Sequence, residues 1–484
     1  MTECKPNMAN LKRLRRQAVE VDFEGGTLTS DGGLVLLREA DRRLDLIRRI
    51  DEAIPDPRDP AYISHPQHEI LTSRIFGIAA GYEDGNDHGT LRHDPSFQVA
   101  AGRTPAEHDY SDKSKHFPLA SPATHSRFEN RITARTMIAL HEVLVDTFLN
   151  SYDTPPEEII LDYDATDDPV HGKQERGYFN GFYDNHCYLP LYVFCGDQIL
   201  VSYLRSSQVG AAHNATAVTK LLVEKIRSRW PNVRIILRGD SAFAIDRLLR
   251  WCDNNQVGYV FGLQRNSVLE ERLCDEMTRS KIKFETDGGD QSSFIWFRYR
   301  TTKTWDRHRW VIGKAHYSSK GPNPRFIVTN LASSDGVIDE SHYRPLIDGK
   351  QVRQLKDPGV LCSPAINPES FYREMYCARG EMENRIKEQQ LFLFADRTSC
   401  SRFVANQFRL LLSSFAYVLV DGIRRLGLKD TQHSRLRIDT IRLWLLKIAA
   451  RVKVSARRVV FHLCSHCPKA DLFEHVLARL CRSD

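Results

Sequence analysis

The sequence predicts an α/β protein: a mixed β-sheet with helices packed on it, a β-rich insertion, and helical regions at both ends. Three observations carry this. After Pro155 the texture changes from helical spacing to short apolar runs rich in β-branched residues. Those runs come in the order strand, strand, strand, helix, strand, helix, strand, which is a meander followed by two right-handed β-α-β crossovers. From about Arg265 the pattern alternates, and from Glu369 it returns to helical spacing.

Residues 1–154 read as a helical region. Ser30 or Asp31 can cap a helix carrying Leu34, Leu36, Leu37, Leu44 and Ile47. Pro55, Pro57, Pro60 and Pro66 break the chain before the apolar segment Ile70–Tyr82, and another helix pattern runs from about Arg131 to Asn150. The sheet starts with Glu158–Asp164 (EIILDYD). Tyr188–Cys195 and Gln198–Leu204 follow, joined by the hairpin signal Gly196-Asp197. The amphipathic helix Ala215–Trp230 leads to the strand Arg234–Leu237, which runs straight into Arg238-Gly239-Asp240. A helix, Ile245–Asn254, and a strand, Gly258–Leu263, complete residues 155–265. Residues 266–367 are expected to be all-β, with Ser293–Arg300 (SFIWFRYR), Trp310–Tyr317 and Phe326–Leu331 as strands. Residues 368–425 return to helix through Glu369–Gln390 and Cys400–Arg425, and residues 426–484 form a basic C-terminal region.

Composition bounds the function. At 484 residues, 41% hydrophobic and 27% charged, the chain can bury a sizeable core, which excludes a peptide ligand or a disulfide-stapled mini-protein. No apolar run approaches the ~18–20 residues of a membrane span, Leu410–Val420 being the longest. Met1–Arg16 lacks the apolar stretch of a signal peptide, and eleven scattered cysteines suit free thiols, so a soluble cytoplasmic protein is expected. The net charge is only +6, yet Arg424–Arg458 holds eleven Lys or Arg against Asp430 and Asp439. That stretch, like Lys12, Arg13, Arg15 and Arg16, suits either a polyanion or a solvated face.

Three acids stand out by position. Asp164 ends the first strand, Asp240 ends the fourth, and Glu383 lies on the helix after the insertion. Neighbouring first and fourth strands would set the two aspartates side by side, and carboxylates so close need a hard divalent cation to offset their repulsion. Asp162 competes with Asp164, because residues i and i+2 share a strand face. Tyr376, Arg379, Glu383, Lys387 and Gln390 are spaced 3, 4, 4 and 3 apart, one face of a helix. That stripe can address a metal and phosphates together, or it can be a salt-bridged exposed surface.

The motifs resemble those of bacterial insertion-sequence transposases of the DDE type with an RNase H-like core. The 1380-type insertion-sequence family fits best, within the larger group bearing a Tyr-x2-Arg-x3-Glu-x6-Lys signature. The resemblance rests on Leu161-Asp162-Tyr163-Asp164-Ala165-Thr166-Asp167-Asp168 with His171-Gly172-Lys173-Gln174, on Leu237-Arg238-Gly239-Asp240-Ser241-Ala242-Phe243, and on Tyr376 to Lys387. The early Leu28-Thr29-Ser30-Asp31-Gly32-Gly33 fits as well. It implies that Asp164, Asp240 and Glu383 are catalytic ligands of two Mg²⁺ ions, with Mn²⁺ a possible substitute. Tyr376 and Arg379 would sit near DNA at the element ends. The signature lysine is Gln390 here, so Lys387, one turn earlier, would supply the charge. The family implies partners in terminal inverted repeats and target DNA, and a homodimer on paired ends, with no membrane. Trp296 and Trp305, beside Arg298, fall in an insertion that shields a DNA hairpin in related members, though such tryptophans also serve as an insertion's core. Two alternatives remain: an RNase H-like nuclease without strand transfer, and an impaired element protein that only binds DNA.

Overall fold

The computed structural model of the protein describes residues 12–19, 21–22, 24–105, 118–331 and 366–482. The end of the expected insertion, residues 332–365, lies outside the described residues. The chain forms two compact units, Leu44–Pro57 with Arg127–Asp421, and Met1–Arg43 with Arg58–Ser126 and Gly422–Asp484.

The first of these is built on one mixed sheet. Its main strands are β1 (Glu158–Ala165), β2 (Leu191–Cys195), β3 (Gln198–Tyr203), β4 (Arg234–Gly239), β5 (Gly258–Leu263), β6 (Gln291–Tyr299), β7 (Arg309–Ser318) and β8 (Arg325–Thr329), with the two-residue strand Gly321–Pro322 paired to β7. They lie in the order β6-β7-β8-β5-β4-β1-β2-β3. β1, β4 and β5 are parallel, whereas β2 and β3 form the antiparallel meander beside β1. This is the mixed α/β arrangement expected of an RNase H-like core. Alternation along β1 explains its central place: Ile159, Leu161 and Tyr163 enter one core, and Asp162 and Asp164 fall on the opposite face. Helices α1 (Ala134–Leu149), α2 (Ala215–Arg229) and α3 (Asp246–Asn254) supply buried residues to the same core.

One expectation needs correction. The stretch after Arg265 is not all-β: it opens with helices Ser267–Arg272 and Cys274–Asp287, the former capped by the Asn266 side chain. Its strands extend the main sheet, because β8 pairs with β5. Alternation identifies a strand but carries no information about its partner.

The helix expected over Cys400–Arg425 is present as α5 (Phe403–Gly422), with Ser413 and Ser414 both buried within it. With the turn that follows it, this helix is long and apolar enough to cross a membrane by composition, but most of it is buried inside the protein. Its polar groups dock on the meander. Gln407 accepts the Leu204 N–H at 2.6 Å, Ser414 bonds Ser202 at 2.7 Å, and Tyr417 donates to the Asp197 carbonyl at 2.7 Å.

In the other unit, Leu28–Thr29 pairs with Ala450–Ser455, which pairs in turn with Arg458–Leu463. The Thr29-Ser30-Asp31-Gly32-Gly33 turn is its knot. Asp31 is buried and accepts from Lys447 and the Tyr82 hydroxyl, both at 2.7 Å. Gly33 must be glycine, since a Cβ there would lie 1.8 Å from the Leu445 carbonyl oxygen.

Candidate active site

The register of the parallel pair creates the site. Tyr163 lies opposite Gly239, so the residues that follow, Asp164 and Asp240, leave adjacent strands together. Asp240 caps the short turn Ser241–Phe243 by accepting the Ala242 N–H at 2.9 Å. The Asp164 carboxylate accepts from the Ala165 N–H at 2.9 Å. Asp162, its rival, is committed elsewhere. It is buried and paired with Arg238, whose Nη2 donates to it at 2.8 Å.

The segment bearing the third acid is expected to be one helix from Glu369 to Gln390, and the structure breaks it. Pro368–Phe371 is α-helical and capped by Asn367; Tyr372–Tyr376 is a π turn, Cys377–Arg379 a 3₁₀ turn, and α4 (Gly380–Leu393) follows. Changes of helical pitch are common at functional sites. Arg238 fixes the break by donating to the Met375 carbonyl at 2.8 Å. One buried guanidinium thus ties β1, β4 and the segment leading to α4.

Tyr376 is held by a close approach. A Cβ on Gly262 of β5 would lie 2.7 Å from the Tyr376 hydroxyl and 2.8 Å from the Ser241 nitrogen, so glycine lets the ring reach the strand end that carries Asp240. Burial raises the Tyr376 hydroxyl pKa; Arg379 opposes this and Asp240 adds to it.

Arg379 is the hub. Its Nη2 donates to Glu383 at 3.2 Å and its Nη1 lies 3.8 Å from Asp164. The Asp164 side chain is 18% exposed and its pKa is pushed up to about 6. Burial is the largest cause, Arg379 opposes it, and the charges of Asp240 and Glu383 both add to it. The three acids therefore share one electrostatic neighbourhood. They do not form a ready metal cage: among the described residues no group of three His, Cys, Asp or Glu is close enough to hold an ion. In this state Arg379 stands between Asp164 and Glu383, with Asp240 at the neighbouring strand end, and its charge offsets the repulsion among the carboxylates.

The DNA-facing expectations divide. Lys387 is exposed on α4. Gln390 is structural: its Nε2 donates to the Asp167 carbonyl at 3.0 Å, bracing the chain just beyond Asp164. Trp296 and Trp305 are 9% and 6% exposed, so the stacking role expected of them is corrected to a packing role. The Trp296 indole packs with Ile236, Val260 and Ile327 and donates to the Ile366 carbonyl at 2.9 Å. Arg298 donates to the His308 carbonyl at 2.8 Å and lies over the Trp310 ring at 4.9 Å, bracing the β6–β7 hairpin.

Sequence reasoning missed a small three-stranded sheet between β1 and β2, made of Asp168–Pro169, Asn185–Tyr188 and Tyr178–Asn180. Its strands are too short to alternate visibly. The Asn180-Gly181 pair between aromatic residues is the signal that could have found it.

One solved structure similar to this chain is a cryo-EM structure of a piggyBac transposase synaptic complex with hairpin DNA. It shares 9% identity at a TM-score of 0.41, covering 86% of this chain and 79% of that one. No match was found among curated proteins. Residues 11–346 and 352–484 match the family described as transposase DDE domain, group 1, and with nearly its whole length matched, the chain belongs to that family.

Proposed function

We propose that the protein binds the terminal inverted repeats of an insertion sequence, cuts at the element ends and joins the freed 3′-OH ends to target DNA. The observation that carries this reading is the convergence on Asp164: Asp240 from the neighbouring strand end and Glu383 from α4 both act on its carboxyl. Three carboxylates are the hard oxygen donors that Mg²⁺ or Mn²⁺ takes, so the donor chemistry fits a divalent pair held by Asp164, Asp240 and Glu383. When bound, such ions would supply Lewis acidity to the phosphodiester and a more nucleophilic oxygen.

The chain's own residues do the rest. Arg379 balances the acids in the free protein and is placed to transfer its planar fork to a phosphate once they are otherwise neutralised. Lys387 carries the charge that Gln390 lacks. In the other unit, the hairpin Ala450–Leu463 exposes Arg451, Lys453, Arg457 and Arg458, cations suited to following phosphates. Two ends handled together call for a homodimer.

The test is incubation with a plasmid carrying the element, in Mg²⁺ or in Ca²⁺. Mg²⁺ should give cut ends and joined products. Asp240→Asn should abolish cutting and retain DNA binding; a variant that still cuts would sink the assignment. Cut ends that never join a target would favour the nuclease reading.

A further inference from the structure

The Tyr178–Asn180 and Asn185–Tyr188 strands form a hairpin that no part of the proposed reaction yet uses. Its backbone is well braced. Asn180 Nδ2 donates to the Ser207 carbonyl at 3.0 Å, and Ser207 Oγ donates back to the Tyr178 carbonyl at 2.8 Å. The Asn180 side chain also accepts the Phe182 N–H at 3.0 Å, which fixes the turn. Asp184 closes it in the left-handed region, at φ 53°.

The tip is apolar where a braced turn would ordinarily be polar. Phe182 is 87% exposed, more than any other large hydrophobic side chain among the described residues. Its ring meets Tyr183 edge to face, with centroids 4.9 Å apart. The tip is also tied to the catalytic strand end. Asn185 donates to the Asp167 side chain at 3.3 Å, and Asp167, three residues beyond Asp164, is braced by Gln390 of α4. Tyr183 lies within electrostatic reach of Asp167, Asp164 and Asp240.

We propose that this hairpin is a base-stacking finger, with Phe182 receiving the face of a nucleobase unstacked beside the phosphodiester held at Asp164 and Asp240. The inference rests on the DNA-cutting reading and deepens it. Phe182 can neither donate nor accept a hydrogen bond, so the finger recognises an aromatic face and is indifferent to base identity. It also fills the role for which Trp296 and Trp305 are too deeply buried.

The test compares a blunt DNA duplex with the same duplex bearing a short single-stranded tail that contains a fluorescent purine analogue, both in Ca²⁺. The wild-type protein should bind the tailed duplex more tightly and change the analogue's emission. Phe182→Ala should weaken tailed-duplex binding by about 5- to 150-fold, the equivalent of ~1–3 kcal/mol, and leave the blunt duplex unaffected. Phe182→Trp should restore both readouts. Because the side chain is exposed, the melting temperature of Phe182→Ala should equal that of wild type. A Phe182→Ala protein that keeps its tail preference and emission change, while wild type cuts plasmid in Mg²⁺, overturns the finger alone. A wild-type protein that cuts no DNA in Mg²⁺ overturns the transposase reading and the finger with it.

Discussion

Arg379 pairs with Glu383 and lies beside Asp164, where the proposed cations would bind, and its removal tests that arrangement directly. Two opposite charges about 4 Å apart interact by ~1 kcal/mol in water and ~4 kcal/mol at an effective dielectric of about 20. The Glu383 side chain is 47% exposed, so its pairing with Arg379 is discounted to ~0–1 kcal/mol by solvent screening. The Asp164 contact, at 3.8 Å and with both side chains under one-fifth exposed, counts for somewhat more. Arg379→Gln should therefore remove ~1–2 kcal/mol of competition and tighten Mn²⁺ binding by about 5- to 30-fold. The assay is a titration of the DNA-free protein with Mn²⁺, reading the free ion by electron paramagnetic resonance. It belongs at pH ~8, above the Asp164 pKa of about 6. Arg379→Lys, which keeps the charge, should stay close to wild type, and Asp164→Asn should lose the site. Unchanged or weaker Mn²⁺ binding by Arg379→Gln would refute the competition and make Arg379 a brace for the acids.

Other predictions concern the framework. Gly33→Ala would place a methyl 1.8 Å from the Leu445 carbonyl oxygen; the backbone must shift, and a loss of more than ~2 kcal/mol should show in denaturant unfolding. Trp296→Ala should cost ~3–5 kcal/mol of stability while leaving DNA discrimination by the folded protein unchanged, and a selective binding defect at full stability would contradict its packing role. His88 and His125 stack at 3.9 Å and are buried; burial lowers the pKa of His88 to about 3 and that of His125 well below 6.5. The unfolded chain then takes up protons that the fold refuses, so stability is complete above pH ~6.5 and falls below it by up to ~1.4 kcal/mol per pH unit for each histidine. Unfolding free energy measured from pH ~7 to ~4 should show this slope, and His88→Leu should reduce it by about half.

The parts legible in the sequence were those fixed by local pattern. The apolar run Glu158–Asp164 and the Arg234–Leu237 run ending in Arg238-Gly239-Asp240 could be read because a buried parallel strand needs continuous β-branched residues. The neighbouring position of the two aspartates followed from chain order alone. What could not be read depends on contacts distant in sequence. The pairing of β8 with β5 is decided by two surfaces meeting, and neither strand encodes the other. The break in the helix ahead of α4 is held by Arg238, which donates to the Met375 carbonyl, and nothing in the Arg238-Gly239-Asp240 run signals that partner. Gln390 looked like a lost phosphate contact because its spacing matched a signature position, whereas its amide donates to the Asp167 carbonyl and so braces the chain beyond Asp164.

The Asp162–Arg238 pair shows how the site can be both rigid and adaptable. Burying two charges is costly unless each is fully hydrogen-bonded, and here the guanidinium uses the Asp162 carboxylate and a main-chain carbonyl. The result is a fixed anchor one pleat below Asp164, on the same face of β1. Beyond that anchor the chain passes through π and 3₁₀ turns, whose hydrogen bonds are easier to rearrange than those of a continuous α-helix. Arg379 ends this pliant stretch and Glu383 lies in the first turn of α4. The proposed exchange of a guanidinium for cations, followed by binding of a phosphate, would use that division: aspartates set by strand register, and an arginine and a glutamate on a segment joined to the sheet through π and 3₁₀ turns.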